Sequence, residues 1–279
     1  MFLLWLASLV LKNAAIVDIF WGFGFVLTGW LFLALTPQGL MLRKILLMTI
    51  VSIWGLRLSL HIFLRNRGKA EDFRYAAWRA ESGKAWWWRS FFKVFFLQGF
   101  LMWIISIPLL AAQITDVPFN WLDLLGLLVW TVGFYFEATG DAQFSAFKAD
   151  VNNKGKVLTS GVWHYTRHPN YFGDATQWWG FYLLAAAAGG WWVAYSPILM
   201  TLLLLRVSGV ALLEKTLKDT KPGYREYIER TSAFFPLPPK SRNLGFKSQV
   251  QLSFLERIPY KGMRTPNIFL VDGLTSFQL

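Results

Sequence analysis

The sequence contains no cysteine, and it shows no heptad, short-period repeat or low-complexity tract. Without cysteine the chain can form no disulfide, and it offers neither a thiolate nucleophile nor a cysteine-based metal site. No metal site is predicted, and the redox state of the compartment is not indicated. The long hydrophobic runs are therefore the main structural signal.

Hydrophobic residues make up 55% of the 279 residues, and these include 25 Phe in addition to 16 Trp. Such a composition is typical of a polytopic membrane protein. The formal net charge of +12 would also suit a nucleic-acid-binding protein, but the cations stand in short loops between apolar runs, as the positive-inside rule describes. We therefore expect the lipid bilayer as a partner and no nucleic acid.

Six hydrophobic runs meet or approach the roughly 20 residues that a helix needs to cross a bilayer. They are 16–35, 45–64, 91–112, 121–140, 172–188 and 191–213. A shorter run, 1–11, makes a seventh. The sequence therefore predicts an all-α fold, a polytopic membrane bundle of about six or seven transmembrane helices.

Basic residues concentrate in the loop after the second of these runs, in the loop before the fifth, and after the sixth. By the positive-inside rule these three segments face the cytoplasm. Arg43 and Lys44 disagree, because alternation puts them on the outer side. We expect their side chains to extend to the lipid headgroups.

Polar residues cluster in 161–180, directly at the start of the fifth run. Arg167 offers a planar fork of donors that suits a phosphate or a carboxylate, and His168 can donate a hydrogen bond or carry a proton near neutral pH. Asn170, Tyr171 and Asp174 follow within eight residues of Arg167. Because the start of a helix also favours anions, we expect an anionic ligand here. A basic loop at the membrane surface would explain Arg167 but not the other four.

Two carboxylates, Glu137 and Asp141, stand four residues apart near the end of the fourth run. If the helix continues, both lie on one face, and Lys148 stays near Asp141. Carboxylates this close repel each other unless a cation or a ligand donor lies between them. Either the segment is a solvated helix end, or it forms one wall of a polar ligand site.

Charged residues also occur inside the first two long runs. Asp18 lies near the start of the first, and Arg57 and His61 stand four apart on the second. Because a charge at membrane depth needs a partner, Asp18 is a candidate partner for Arg57. A buried structural ion pair and a catalytic pair both fit this pattern.

Five stretches together give the chain a resemblance to a membrane family described as steroid 5-alpha-reductase-like, over roughly residues 14–240. They are LTSGVWHYTRHPNYFGD, GYREYIERTSAFFPLPPK, DIFWG, GLRLSLHIFLRNRG and EDFRY. The first resembles the cofactor segment of membrane sterol reductases, and the second resembles the C-terminal motif of that superfamily. The resemblance implies a multi-span helical enzyme that uses NADPH to reduce a carbon-carbon double bond of a steroid-like or other lipophilic substrate.

By matching motif positions, the resemblance also implies a dinucleotide site that opens to the cytoplasm. Its implied members are Asp141, Lys148, Asn153, Lys156, Gly161, Trp163, Arg167, His168, Asn170, Tyr171, Asp174, Arg225 and Tyr227. The glutamate and tyrosine that polarise the ketone in animal 5-alpha-reductases have no unambiguous match here. Asp18, Glu137, Tyr171 and His61 are therefore all candidates for the catalytic acid.

The same superfamily includes membrane methyltransferases similar to isoprenylcysteine carboxyl methyltransferase, whose motif also has Arg-His-Pro and a nearby Tyr. S-adenosylmethionine would use a carboxylate for its amino group and the Arg167-His168 region for its own carboxylate. This alternative stays open, although the continuation from Asn170 to Asp174 favours the reductase. Residues 241–279 depart from the family, so we predict a membrane domain over 1–240 followed by a poorly ordered tail.

Overall fold

The computed structural model describes residues 1–207, 210, 214, 217 and 220–240, and within these ranges the chain is helical, with an isolated β-bridge between Thr166 and Ser232 and no strand. The predicted all-α fold is confirmed. The predicted tail, 241–279, lies outside the described residues. The α-helices are α1 Phe2–Leu11, α2 Ile16–Leu35, α3 Met41–Asn66, α4 Phe73–Ser82, α5 Trp86–Ser90, α6 Leu97–Ile105, α7 Ile107–Ala111, α8 Trp121–Ala149, α9 Pro169–Ala187, α10 Tyr195–Leu202 and α11 Tyr224–Arg230.

Four helical segments are long and apolar enough to cross a membrane, namely Ile16–Leu35, Met41–Asn66, Phe73–Ala111 and Trp121–Ala149. The apolar helices Phe2–Leu11 and Trp191–Arg206 are shorter, and α9 has 19 residues, most of them buried among the other helices. Large apolar side chains such as Leu31, Leu60 and Trp103 are exposed on the outside of the bundle, as expected where lipid replaces water. A helical membrane bundle is thus confirmed, and the count of six or seven spans stays a prediction.

The third helical segment begins earlier than the sequence predicts. Helix continues from Phe73, through the short 3-10 turn Gly83–Ala85 and the π-helical turn Phe91–Phe96, to Ala111. Asp72 caps its start by accepting a hydrogen bond from the backbone N–H of Arg74, at 3.0 Å. Arg74 and Arg79, which the sequence predicts in a loop, therefore lie on a helix, because polar residues in its first turns do not prevent helix formation when a cap is present.

Paired glycines let two sets of helices approach closely. A Cβ on Gly22 of α2 would overlap the carbonyl oxygen of Gly55 on α3, and a Cβ on Gly173 of α9 would overlap the backbone of α8 at Gly133. In membranes, where the hydrophobic effect does not hold helices together, small residues at such crossings give close backbone packing. These crossings fix α2 against α3 and α8 against α9.

An aromatic cluster fills the centre of the bundle between α2, α3 and α9. The ring centroids of Phe25 and Trp178 lie 4.6 Å apart, and those of Trp54 and Trp178 lie 5.7 Å apart, both in edge-to-face geometry. Phe181 packs against both tryptophans. The aromatic cluster borders the polar residues described below, since Trp54 also donates to Glu137.

Arg43 does not extend to headgroups, and the sequence prediction for it is wrong. Its side chain is fully buried, and it forms a two-point ion pair with Asp123, at 2.6 and 2.8 Å. Lys44 is also buried and donates to the carbonyl of Thr36. The reason is that the connection before α8 folds over the start of α3, where Leu40 N–H donates to Thr115 at 3.1 Å.

Candidate functional site

The polar side chains converge at the end of the bundle where α3 and α8 end and α2 and α9 begin. α3 supplies Arg57, His61 and Arg65. These residues follow one another at intervals of four and therefore share one face of the helix. The basic loops predicted to be cytoplasmic lie at this same end. Two groups of buried polar residues meet the α3 face.

The first, which we name the Arg57 group, consists of Arg57, Glu137, Asp141, Trp54 and Gln177. Arg57 binds Asp141 at 2.8 Å through one terminal nitrogen and Glu137 through the other. The second oxygen of Glu137 accepts from the Trp54 indole at 3.0 Å and from the Gln177 amide. The carboxylates are held by a cation from the neighbouring helix, which is how two acids one turn apart avoid repulsion.

This arrangement confirms that Glu137 and Asp141 share a face of one continuous helix, α8. Both are buried, with 3% and 4% exposure, so the alternative of a solvated helix end is wrong. Asp18 is not the partner of Arg57, as the sequence suggested. The close α8–α9 packing brings Glu137 and Asp141 to the α3 face, whereas Asp18 is taken by residues of α4.

The second, which we name the Asp18 group, consists of Asp18, Tyr75, Arg74, Asp72 and Gln98. The Tyr75 hydroxyl donates to Asp18 at 2.7 Å and accepts from the Gln98 amide at 3.2 Å. Arg74 reaches both Asp18, at 3.4 Å, and Asp72, at 2.9 Å. The group forms because α4 packs across the start of α2, and it leaves Asp18 in direct contact with a phenol.

Arg65 connects the two groups. Its guanidinium interacts electrostatically with Asp18 and Asp72 on one side and with Asp141 and Tyr171 on the other. His61, one turn earlier, lies 3.8 Å from Asp141. All four candidates for the catalytic acid therefore lie on the α3 face or next to it: His61 is on the face, and Asp18, Glu137 and Tyr171 lie around it.

Four buried polar atoms around Glu137 and Asp174 have no hydrogen bond of good geometry among the described residues, namely Arg57 Nε, Asp174 Oδ1, Gln177 Oε1 and Trp178 Nε1. The Trp178 indole interacts with Asp174. Buried polar groups are nearly always hydrogen-bonded, so such a concentration marks a place that suits a polar ligand group. Within the described ranges no three His, Cys, Asp or Glu side chains are arranged to hold a metal ion.

The guanidinium of Arg167 is bound by other residues of the protein. Its guanidinium binds Glu214 through two nitrogens, at 2.6 and 2.7 Å, and donates to the carbonyls of Ile228, at 3.0 Å, and Thr231. Only 6% of the residue is exposed. Its donors thus hold the chain around α11, and its predicted contact with a cofactor phosphate stays a prediction.

His168 lies beside Arg167 and precedes α9. Its Nε2 lies 3.3 Å from Glu214, and its ring stacks on Tyr171 with centroids 5.6 Å apart. Burial lowers the pKa of His168, although Glu214 opposes the shift. Burial would raise the pKa of Glu214, but hydrogen bonds from His168 and Arg167 outweigh it and lower that pKa. The neutral imidazole and the ionised carboxylate are therefore the favoured forms.

The segment 223–240 lies against the approach to α9. The Tyr227 hydroxyl donates to the Trp163 carbonyl, and burial raises the pKa of this phenol. Leu237 N–H donates to the Tyr165 carbonyl at 3.0 Å, and Thr166 Oγ1 donates to the Phe234 carbonyl at 2.8 Å. This segment forms a strap across residues 163–166, with Arg225 exposed on α11.

The remaining predicted cofactor residues line the end of α8 and the loop that leads to α9. Trp163 stacks on Phe144, with centroids 5.3 Å apart, and donates to the Gly140 carbonyl at 3.1 Å. Two separate features favour glycine at Gly161: its φ is positive, at 63°, and the side chain of Gln143 occupies the place where a Cβ would lie. Asn153 donates to the Phe147 carbonyl at 3.2 Å, and the ammonium of Lys148 lies over the ring of Phe144. Lys156 is exposed, and Asn170 is buried at the start of α9.

Several members of the site were not predicted. Arg65 carried a signal, since it continues the four-residue spacing of Arg57 and His61, and Gln177 follows Asp174 by three residues on the same helix. Tyr75 lies in the EDFRY stretch, for which the sequence left two interpretations, a solvated loop or a segment folded under the same site as Asp18. The position of α4 brings Tyr75 into contact with Asp18. Glu214 gave no sequence signal beyond a charge at the end of an apolar run.

Comparison with curated proteins and with solved structures gives no match. A family model does match residues 4–231, and its description is "Protein of unknown function (DUF1295)". The match covers both polar groups and the whole of α9 and α11. The chain belongs to the DUF1295 family.

Proposed function

We propose that this protein is an integral membrane reductase that uses NADPH to reduce a carbon-carbon double bond of a steroid-like or other lipophilic substrate. The observation that carries the proposal is the meeting of the Arg57 group and the Asp18 group on one face of α3, at the end of an apolar bundle. A buried polar site at the membrane boundary suits a reaction between a water-soluble cofactor and a lipid-soluble substrate. The basic loops at this end favour a cytoplasmic site.

Residues at two depths in the bundle support a dinucleotide site. Lys156 and Arg225 are exposed and bring positive charge to the loop side, which suits phosphate groups. Deeper in the bundle, Gln177 Oε1 is a buried acceptor without a partner among the described residues, and it suits an amide donor of a nicotinamide. When bound, NADPH supplies the hydride.

The chain itself must supply the proton. Asp18 and Tyr75 form a carboxyl-phenol pair at 2.7 Å, and Gln98 orients the phenol from its other side. A proton held by Asp18 would let Tyr75 direct its own hydrogen towards the substrate, and Asp18 would then restore it. Glu137, Tyr171 and His61 are the other candidates, but Glu137 is held by a cation, an indole and an amide.

The substrate would come from the bilayer. A cofactor-binding panel tests the proposed use of NADPH. The purified protein in detergent is heated with NADPH, NADH or S-adenosylmethionine, and its unfolding temperature is recorded. We expect NADPH to raise the temperature most, and NADH less, because only NADPH carries the 2′-phosphate. Stronger stabilisation by S-adenosylmethionine would overturn the reductase and favour the methyltransferase.

A second measurement addresses the reaction. Lipid extracts from membranes are added to the protein with NADPH, and loss of the NADPH absorbance is followed together with the mass of the lipids. A lipid that gains two hydrogens in step with NADPH oxidation supports the proposal. Oxidation of NADPH with no such lipid product argues against a double bond as the acceptor.

A further inference from the structure

A cavity of about 120 Å³ lies beside the Asp18 group, between the start of α2, the last turns of α3 and the loop that joins α3 to α4. Its apolar side includes Ile16, Ile19 and Phe63, and its polar side includes Asn66, Arg67 and Lys69. Phe63 is 47% exposed on a membrane-spanning helix. The cavity therefore spans the boundary between the lipid-facing surface of the bundle and its basic loop.

The charge around this cavity is positive. Among the described residues no carboxylate pairs with Arg67 or Lys69, and both side chains are exposed. The carboxylate that lines the cavity, Asp72, is already bound by Arg74 at 2.9 Å. Desolvation by neighbouring atoms, and then the positive charge of Arg65, lower the pKa of Lys69. An anion would offset the charge that these side chains bring together.

We propose that this cavity binds the phosphate group of an anionic phospholipid, with the acyl chains lying on the lipid-facing surface next to Phe63. The volume suits a small polyatomic anion. Only a lipid would use both sides of the cavity, because a free phosphate has no apolar part for Ile16 and Ile19 to contact. Anionic lipids also concentrate in the leaflet that faces basic loops.

The proposal is independent of the reductase activity, and it predicts a lipid preference that can be measured on the full chain. The protein in neutral detergent is titrated with short-chain phosphatidylglycerol or phosphatidylcholine, and bound lipid is counted by native mass spectrometry. We expect phosphatidylglycerol to bind more tightly by about 25-fold, since each of two basic residues contributes roughly fivefold at an anionic headgroup.

Two variants locate the site. The double variant Arg67→Gln with Lys69→Gln should lose most of the preference for phosphatidylglycerol. Ala70→Trp should do the same by filling the cavity without changing the charge, because Ala70 lines it. Retained preference in Ala70→Trp, with the protein folded, would overturn the proposal.

A matched pair controls for general attraction between the basic end and acidic lipids. Lys84→Gln with Arg89→Gln removes the same charge from exposed positions at this end that do not line the cavity. This control variant should keep the preference for phosphatidylglycerol. If it loses as much of that preference as the Arg67 and Lys69 variant, general surface electrostatics explains the effect and the proposed site is overturned. Inorganic phosphate should not displace the lipid, and displacement at similar concentration would make this a free-anion site instead.

Discussion

The guanidinium of Arg57 lies 2.8 Å from the carboxylate of Asp141 and joins α3 to α8 within the membrane bundle. The same guanidinium binds Glu137, one turn deeper along α8. Because lipid cannot solvate these charges, each depends on the others for its stabilisation. The ion pairs therefore fix the geometry of the α3 face on which the rest of the site is built.

Replacing this cation should destabilise the protein strongly. Arg57→Gln would leave Glu137 and Asp141 buried beside each other, and removal of one partner from a buried ion pair typically costs about 3–5 kcal/mol. Unfolding in mixed micelles with increasing dodecyl sulfate measures the change. Arg89→Gln, which removes an exposed cation at the same end, should stay within about 0.5 kcal/mol of wild type. Equal stability of the two variants would contradict the role of Arg57.

A second substitution separates charge from packing. Adding Glu137→Gln to the Arg57→Gln variant removes one of the two uncompensated carboxylates, so part of the lost stability should return. The double-mutant cycle then gives a favourable coupling energy between Arg57 and Glu137. Strictly additive losses would mean that the two side chains act only through their volume.

The helices were predictable because their apolar runs are long and their polar interruptions are few. The 20-residue α2 matches the prediction at both ends, and the fifth predicted run starts only three residues after Pro169, the true first residue of α9. The start of the third segment was missed, because its first turns carry Arg74 and Arg79 and lack an apolar run. Length and hydropathy indicate where a helix crosses lipid, but not where it continues into the polar region.

The site residues were partly predictable, and their partners were not. Spacing along a helix identified the shared face of Glu137 and Asp141, since that relationship is local. The partner of Arg57 depends on which helices touch, and this is set by the glycine crossings between α2 and α3 and between α8 and α9. Neither crossing can be located from hydrophobic runs alone.

Arg167→Ala tests whether this residue binds phosphate or holds the strap. Its donors are taken by Glu214 and by the carbonyls of Ile228 and Thr231, so we expect the variant to lower the unfolding temperature and to weaken NADPH and NADH binding by the same factor. Microcalorimetry with both nucleotides measures this factor. Glu214→Gln, which removes the carboxylate partner, should have a similar but smaller effect. A loss confined to NADPH would instead assign Arg167 to the 2′-phosphate.

The Asp18–Tyr75 contact leads to a test of the proposed proton donor. Tyr75→Phe removes the hydroxyl and keeps the ring, so NADPH oxidation with an active lipid extract should fall by about 100-fold or more, as is typical for loss of a general acid. Stabilisation of the protein by NADPH should be unchanged. Asp18→Asn should reduce turnover similarly because the two act as a unit, whereas Tyr135→Phe, at an exposed position on α8, should have no effect. Wild-type turnover in Tyr75→Phe would move the role to another candidate.

Acid should destabilise the junction of α9 with the strap, and His168 should carry the first part of the effect. Burial lowers the pKa of His168 in the folded protein, so the unfolded chain binds the proton more readily. Stability is then constant above the ordinary histidine pKa of about 6.5 and falls as the pH drops below it. Glu214, whose pKa is lowered by His168 and Arg167, adds a further loss below its ordinary pKa of about 4.3. As the pH is lowered from 8 to 5, the unfolding temperature should decrease in wild type and decrease less in His168→Gln. His164→Gln, which changes an exposed histidine in the same segment, should behave as wild type. An identical pH profile in wild type and His168→Gln would show that His168 does not titrate between the two states.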